Sequence, residues 1–227
     1  MAPLCHHLMF VGMFPGGIEV SVKHEYALLN GRNRSSIGKT ISAIASAVSG
    51  AATFVVLAAD DLANKLGWNH NVPPLVLSLV GAGAVYALLY WLFDKYAWKW
   101  RLITSWLKVP DVSGTWHCEG QSLNQPGSGS APWSGTVQIN QSWDRLRVIL
   151  RTADSTSYSV NAALIHDDDG PTLIYNYSNT PAITRLDLSA HKGFTQLNFA
   201  PDLQTASGEY FNGHGRFTYG TMTLRRN

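Results

Sequence analysis

Two uncharged apolar stretches, TISAIASAVSGAATFVVLAA at Thr40–Ala59 and VPPLVLSLVGAGAVYALLYWLF at Val72–Phe93, decide the architecture of this chain. At 20 and 22 residues, each is long enough to cross a bilayer's hydrocarbon core of ~30 Å as a helix. A helix buried in a soluble core normally keeps a polar face, and neither stretch holds a charge. Pro73 and Pro74 suit the first turn of the second helix, where a missing N–H costs little. The pattern predicts a two-helix transmembrane hairpin within residues 37–107, preceded by an N-terminal segment of residues 1–36.

Flanking charges orient the hairpin. Arg32, Arg34 and Lys39 precede the first span, and Lys95, Lys99, Arg101 and Lys108 follow the second. The link at residues 60–71 holds Asp60, Asp61 and one cation, Lys65. The positive-inside rule places both termini in the cytoplasm. Tyr86, Tyr90, Trp91, Tyr96, Trp98, Trp100 and Trp106 gather at the exit of the second span, as interfacial aromatics do. Small residues recur every four positions, at Ala43, Ala47 and Ala51 and at Ser42, Ser46 and Gly50. Such stripes allow close helix packing, within the hairpin or between protomers.

Bulk composition hides this layout, because 45% hydrophobic residues and a mean hydropathy of −0.04 average an apolar third with a polar half. Residues 1–110 carry nine Lys/Arg against five Asp/Glu, and residues 111–227 carry eight against ten. A C-terminal half with no basic excess is poorly suited to long nucleic acid, which needs several phosphate-neutralising cations. Cys5 and Cys118 make no disulfide framework and no zinc spacing. Leu8–Phe14 is apolar but lacks a basic lead-in and is broken by Pro15-Gly16-Gly17, unlike a secretory signal.

After Pro110 the period changes from helical to alternating. The strand candidates are 114–122, 135–143, 146–153, 157–166, 172–178, 182–189, 193–199, 206–212 and 217–225, separated mostly by Gly, Pro, Asp and Ser turns. About eight short strands predict a small closed antiparallel β-barrel over residues 109–227. The expected fold class is therefore a membrane-anchored all-β protein. Val137, Ile139, Gln141 and Trp143 share one face, and Leu146, Val148, Leu150 and Thr152 the next, with Arg145, Arg147 and Arg151 opposite. The face of Leu173, Tyr175, Tyr177 and Asn179 turns polar toward one end. Aromatic rings beside amides can stack on a base and hydrogen-bond its edge, although Tyr and Trp also simply fill barrels.

No catalytic or metal-binding motif emerges. His117, His166, His191 and His214 are scattered, and Asp167–Asp169 lacks the spacing and terminal Glu of a calcium loop. The pattern points to binding without catalysis and without a resident cofactor.

The chain resembles the membrane effectors of bacterial anti-phage defence that answer cyclic-oligonucleotide signals (CBASS), in the class with two transmembrane helices and a β-rich sensor. The residues carrying this are His24-Glu25-Tyr26, Gly114-Thr115-Trp116, Gln141-Ser142-Trp143, Ser155-Thr156-Ser157-Tyr158-Ser159, Tyr175-Asn176-Tyr177-Ser178-Asn179-Thr180-Pro181, His191-Lys192-Gly193, and Gly208-Glu209-Tyr210-Phe211 leading to Gly220-Thr221-Met222-Thr223-Leu224. The resemblance spans residues 24–227. It implies that a cognate nucleotidyltransferase makes a cyclic dinucleotide, that the barrel binds it, that protomers assemble, and that the helices disrupt the inner membrane lipid. The motifs, with alternation, suggest Gln141, Trp143, Ser157, Tyr175, Tyr177, Asn179 and Tyr210 as ligand-binding residues. Arg216 and Arg225 are candidate phosphate partners. A membrane-tethered fatty-acid-binding barrel and a ligand-free assembly module are the alternatives.

Overall fold

A computed structural model describes residues 22–67, 81–123, 130–167, 169–213 and 216–227. The elements are β1 (His24–Leu29), α1 (Arg34–Lys65), α2 (Ala82–Lys95), a 3₁₀ turn (Ala97–Lys99), α3 (Arg101–Leu107), then β2 (Gly114–Leu123), β3 (Ala131–Gln141), β4 (Arg145–Thr152), β5 (Ser155–Ile165), β6 (Thr172–Pro181), β7 (His191–Phe199), β8 (Thr205–Asn212) and β9 (Tyr219–Arg226). The strands close into a barrel in the order β1-β4-β3-β2-β9-β8-β7-β6-β5, with β4 also touching β5.

The expected closed barrel is present, with nine strands where about eight were expected. Two differences explain the count. Residues 182–189 are not a strand. They form turns through Arg185 N–H to Ala182 O (2.8 Å) and Leu188 N–H to Arg185 O (3.1 Å), while Arg185 pairs with Asp154 and with Asp187 (2.7 Å). Ile183 and Leu186 stand 93% and 94% exposed, so no strand face is buried there. The additional strand is β1, from before the first helix, which the division at residue 109 leaves out. It pairs antiparallel with β4 (His24 opposite Leu146, Glu25 opposite Arg145) and parallel with β5 (Tyr26 to Leu29 beside Ala162 to Ile165). The barrel is thus antiparallel except at the β1–β5 seam.

The inner face follows the predicted alternation. Trp116, Leu146, Leu164, Leu173, Leu197 and Leu224 are fully buried and fill one end, where Trp116 meets Phe199 edge-on at 5.2 Å. The arginine face of β4 lies outside, with Arg147 over Tyr158 at 5.0 Å and Arg151 donating to Gln138 at 3.1 Å.

Helix α1 starts at an Asn33 cap whose side chain accepts from Ser35 N–H at 2.9 Å. Its 32 residues span about 48 Å. Among the described residues it is the one helix long and apolar enough to cross a membrane, and only 17% of its most apolar window is buried. The first part of the second expected span, residues 72–80, lies outside the described residues; the rest falls in α2. The α1 residues that turn inward are Ile37, Ile41, Ala45 and Ser49, beside Tyr86, Leu89, Tyr90 and Phe93 of α2. The stripes Ala43-Ala47-Ala51 and Ser42-Ser46-Gly50 are exposed instead.

Both helices grip the turn between β3 and β4. From α2, Asp94 accepts from Asp144 N–H at 2.9 Å and from Trp143 N–H through its carbonyl at 3.2 Å, and Tyr90 donates to Asp144 at 2.8 Å. Phe93 packs edge-on against buried Trp143 at 5.3 Å. From the start of α1, Arg34 donates to Tyr26 O (2.7 Å) and Trp143 O (3.2 Å), with its guanidinium 4.6 Å from the Tyr26 ring. Lysine has the charge but not the planar fork. Arg34→Lys is expected to cost roughly 1–3 kcal/mol, read as a lower thermal midpoint of the full chain in detergent.

Candidate functional site: a polar-aromatic cavity at the barrel mouth

The barrel is filled at its helix-facing end and hollow at the other. The hollow has a volume of about 380 Å³, within the range of roughly 300–1,000 Å³ typical of small-molecule sites. Its mouth is ringed by the hairpin ends at Asp154, His191, Asn212 and Arg216, opposite the β3–β4 turn that the helices hold.

Residues of eight strands, β2 to β9, build the wall. Tyr175, Tyr177 and Asn179 follow one another along β6, with Ser157 opposite Asn179 on β5 and Tyr210 opposite Thr195 across β7–β8. Polar atoms cross-brace the rings. Tyr177 donates to Asn212 at 2.6 Å, Trp133 Nε1 donates to the Tyr210 oxygen at 3.1 Å, and Ser122 shares a hydrogen bond with that hydroxyl at 2.8 Å. Asn179 Nδ2 donates to Ser157 at 2.8 Å and Ser155 at 2.9 Å. Its Oδ1 is buried without a partner among the described residues, an acceptor whose pairing folding leaves unmet. Trp133 and Tyr210 meet edge-on at 5.8 Å, as do Tyr177 and His191 at 6.4 Å. Gly120, paired with Trp133, lets that indole lie flat across β2, since a Cβ there would stand 2.1 Å from the ring.

Burial sets the electrostatics of the barrel interior. Burial raises the pKa of Tyr175 and Tyr177 further above neutral pH, where a phenol is already uncharged. Burial pushes Cys118, a free thiol on β2, up to about 12, which leaves it protonated and unreactive. Arg216 is the only Arg or Lys among the described lining residues, while Asp154 at the rim is already paired with Arg185. Arg225 is exposed on the outer face of β9.

Five of the seven residues expected to bind ligand, Ser157, Tyr175, Tyr177, Asn179 and Tyr210, line this one cavity. Gln141 and Trp143 do not. Gln141 lies at the filled end of β3, and Trp143 lies beyond β3, in the turn to β4. Gln141 accepts from Val112 N–H at 3.0 Å and donates to Pro110 O at 3.2 Å, and Trp143 sits beneath Phe93. Trp133, Thr195, Asn212 and Ser122 went unnoticed in the sequence. Trp133 shares the parity of Val137 and Ile139, and extending β3 by one pair upstream would have exposed it.

Profile comparison places the Cap15 transmembrane helices on residues 35–99 and the Cap15 cyclic dinucleotide receptor domain on residues 107–226. A curated relative, CD-NTase-associated protein 15 of Yersinia aleksiciae, is 40% identical over 204 residues, covering 89% of this chain and 97% of that protein. The chain belongs to the Cap15 family. A protein of the same name from Staphylococcus schleiferi is 26% identical over 135 residues, covering 59% of this chain and 70% of its own. Cap15 membership agrees with the resemblance to CBASS effectors, and it makes this a membrane-associated protein with a receptor barrel. The matched receptor region begins after β1, so the Cap15 barrel closes here with a strand from outside that region.

Burial is the main cause lowering the His191 pKa from 6.5; Arg216 acts in the same direction, and a hydrogen bond to Ser189 O opposes it. The folded state therefore prefers the neutral ring. The stability this contributes is present above the unfolded value of about 6.5 and is lost as pH falls through the lower folded value. Between about pH 7.5 and 5.5 the thermal midpoint of the full chain should fall less for His191→Gln than for the wild type.

Proposed function

We propose that this protein is a cyclic-dinucleotide-activated membrane effector of anti-phage defence, and that the cavity at the barrel mouth is where the dinucleotide binds. The observation that carries this reading is the pairing of stackable rings (Trp133, Tyr177, Tyr210) with the unpartnered Asn179 acceptor and Arg216 at the rim. Rings take the faces of bases, the amide takes a base edge, and the arginine takes a phosphate. A fatty-acid carrier fits less well, because the cavity wall presents hydroxyls, amides and an imidazole, whereas the apolar end is already filled by side chains.

Activation then follows from linkage. A ligand that prefers assembled protomers shifts the population toward assembly. Within the membrane, the exposed stripes Ala43-Ala47-Ala51 and Ser42-Ser46-Gly50 offer close helix packing between copies. The assembled helices disrupt the inner membrane. Both termini are cytoplasmic by the flanking charges, which turns the cavity mouth toward the cytosol, where a nucleotidyltransferase releases its product.

Calorimetric titration of the full chain in detergent against a panel of cyclic dinucleotides, with a fatty acid as control, tests the site. One dinucleotide should bind saturably, and the Tyr177→Ala/Asn179→Ala variant should weaken it at least about tenfold, in line with roughly 1–3 kcal/mol per stacked base. Unchanged affinity in a folded double variant, or saturable binding of the fatty acid alone, contradicts the proposal.

A further inference from the structure

The barrel is closed least completely at one seam, and that seam contains the strand leading into the membrane. Strands β4 and β5 pair only over Ile149–Arg151 against Thr156–Tyr158, near the mouth. Toward the helix end they part. Val148 N–H finds the Ser159 hydroxyl at 2.9 Å instead of a backbone carbonyl, and β5 shifts register between Ser159 and Asn161. Strand β1 fills the gap. It adheres to β5 along Tyr26–Leu29 but meets β4 only at His24 and Glu25. A latch joins the two sides, because the same Ser159 oxygen lies 2.7 Å from His24 Nε2.

Both ends of this arrangement lead to working parts. Val148, Leu150 and Ser157, on the two parting strands, line the cavity. Four residues separate β1 from α1, and Arg34 of the first turn of α1 bonds the Tyr26 carbonyl. Nearby, Arg32 N–H bonds Leu107 O at 3.1 Å, tying the same segment to the end of α3. A shift of β1 along β4 therefore moves the start of α1.

We propose that β1 is the output strand of the sensor: an occupied cavity opens the β1–β4 contact, and β1, staying with β5, carries α1 with it. This rests on the cavity being the ligand site. It does not depend on how the helices act on lipid. Thermodynamic reciprocity gives it a direct test, since a ligand that opens the contact must bind more weakly when the contact is held shut.

Glu25 and Arg145 are directly opposed, antiparallel and exposed, a geometry of ~4.5–5.5 Å between Cα atoms that a disulfide spans. The test uses the full chain with Cys5 replaced by serine, carrying Glu25→Cys and Arg145→Cys, titrated oxidised and reduced with the cyclic dinucleotide panel. A second pair, Ser207→Cys and Thr223→Cys across β8–β9, is the control for crosslinking as such. The proposal expects oxidation to weaken binding about fivefold or more at the β1–β4 pair, to leave the control unchanged, and to be reversed by reduction. Equal affinity of the oxidised and reduced β1–β4 protein overturns it. If the reduced protein binds nothing in the panel, the sensing reading itself fails and the proposal with it.

Discussion

The grip of two helices on one barrel turn is the constraint on which the rest depends. Trp143 and Asp144 form a tight connection between β3 and β4, and ties from both helices converge on it. Asp94 and Tyr90 hold it from α2, and Arg34 holds it from α1. The ties are short and partly dry, with Trp143 fully buried and flanked by Phe93 and Arg34. Hydrogen bonds to charged groups gain strength in such surroundings. Because α1 and α2 hold the same turn, the helices and the barrel are fastened at a joint instead of strung on a linker.

The joint also explains why the barrel has two unlike ends. Next to the helices the interior is packed with leucines and Trp116, which makes a rigid seat. Such packing leaves no room for a ligand. Toward the mouth, side chains of the same parity become Tyr, Ser, Asn and His, and they bond across the hollow rather than filling it.

Much of this was legible in the chain because the signals are local. The apolar stretch in α1 stands out by length, and the strands of the barrel stand out by alternation between turn residues. Alternation also brought Ser157, Tyr175, Tyr177, Asn179 and Tyr210 onto one inner surface. It could not separate them from Gln141, because parity says which way a side chain points and not how deep in the barrel it sits, nor from Trp143, because β3 ends at Gln141 and Trp143 belongs to the turn the helices hold. Residues 182–189 read as a strand, yet the Arg185 ion pairs and turns hold them outside any sheet. The sequence HEYALL was invisible as a strand for a different reason. Its partners, near Leu146 and Ala162, lie more than a hundred residues away, and six residues beside a long helix carry no period of their own.

Hydrogen exchange on the full chain in lipid nanodiscs, with and without a cyclic dinucleotide, is the most direct measurement of the central claim that the mouth cavity senses and the joint responds. The account predicts slowed exchange in the mouth halves of β5, β6 and β8, around Ser157, Asn179 and Tyr210, together with altered exchange in β1. Slowing confined to the filled end around Trp143 and α2, with the mouth unchanged, would contradict it.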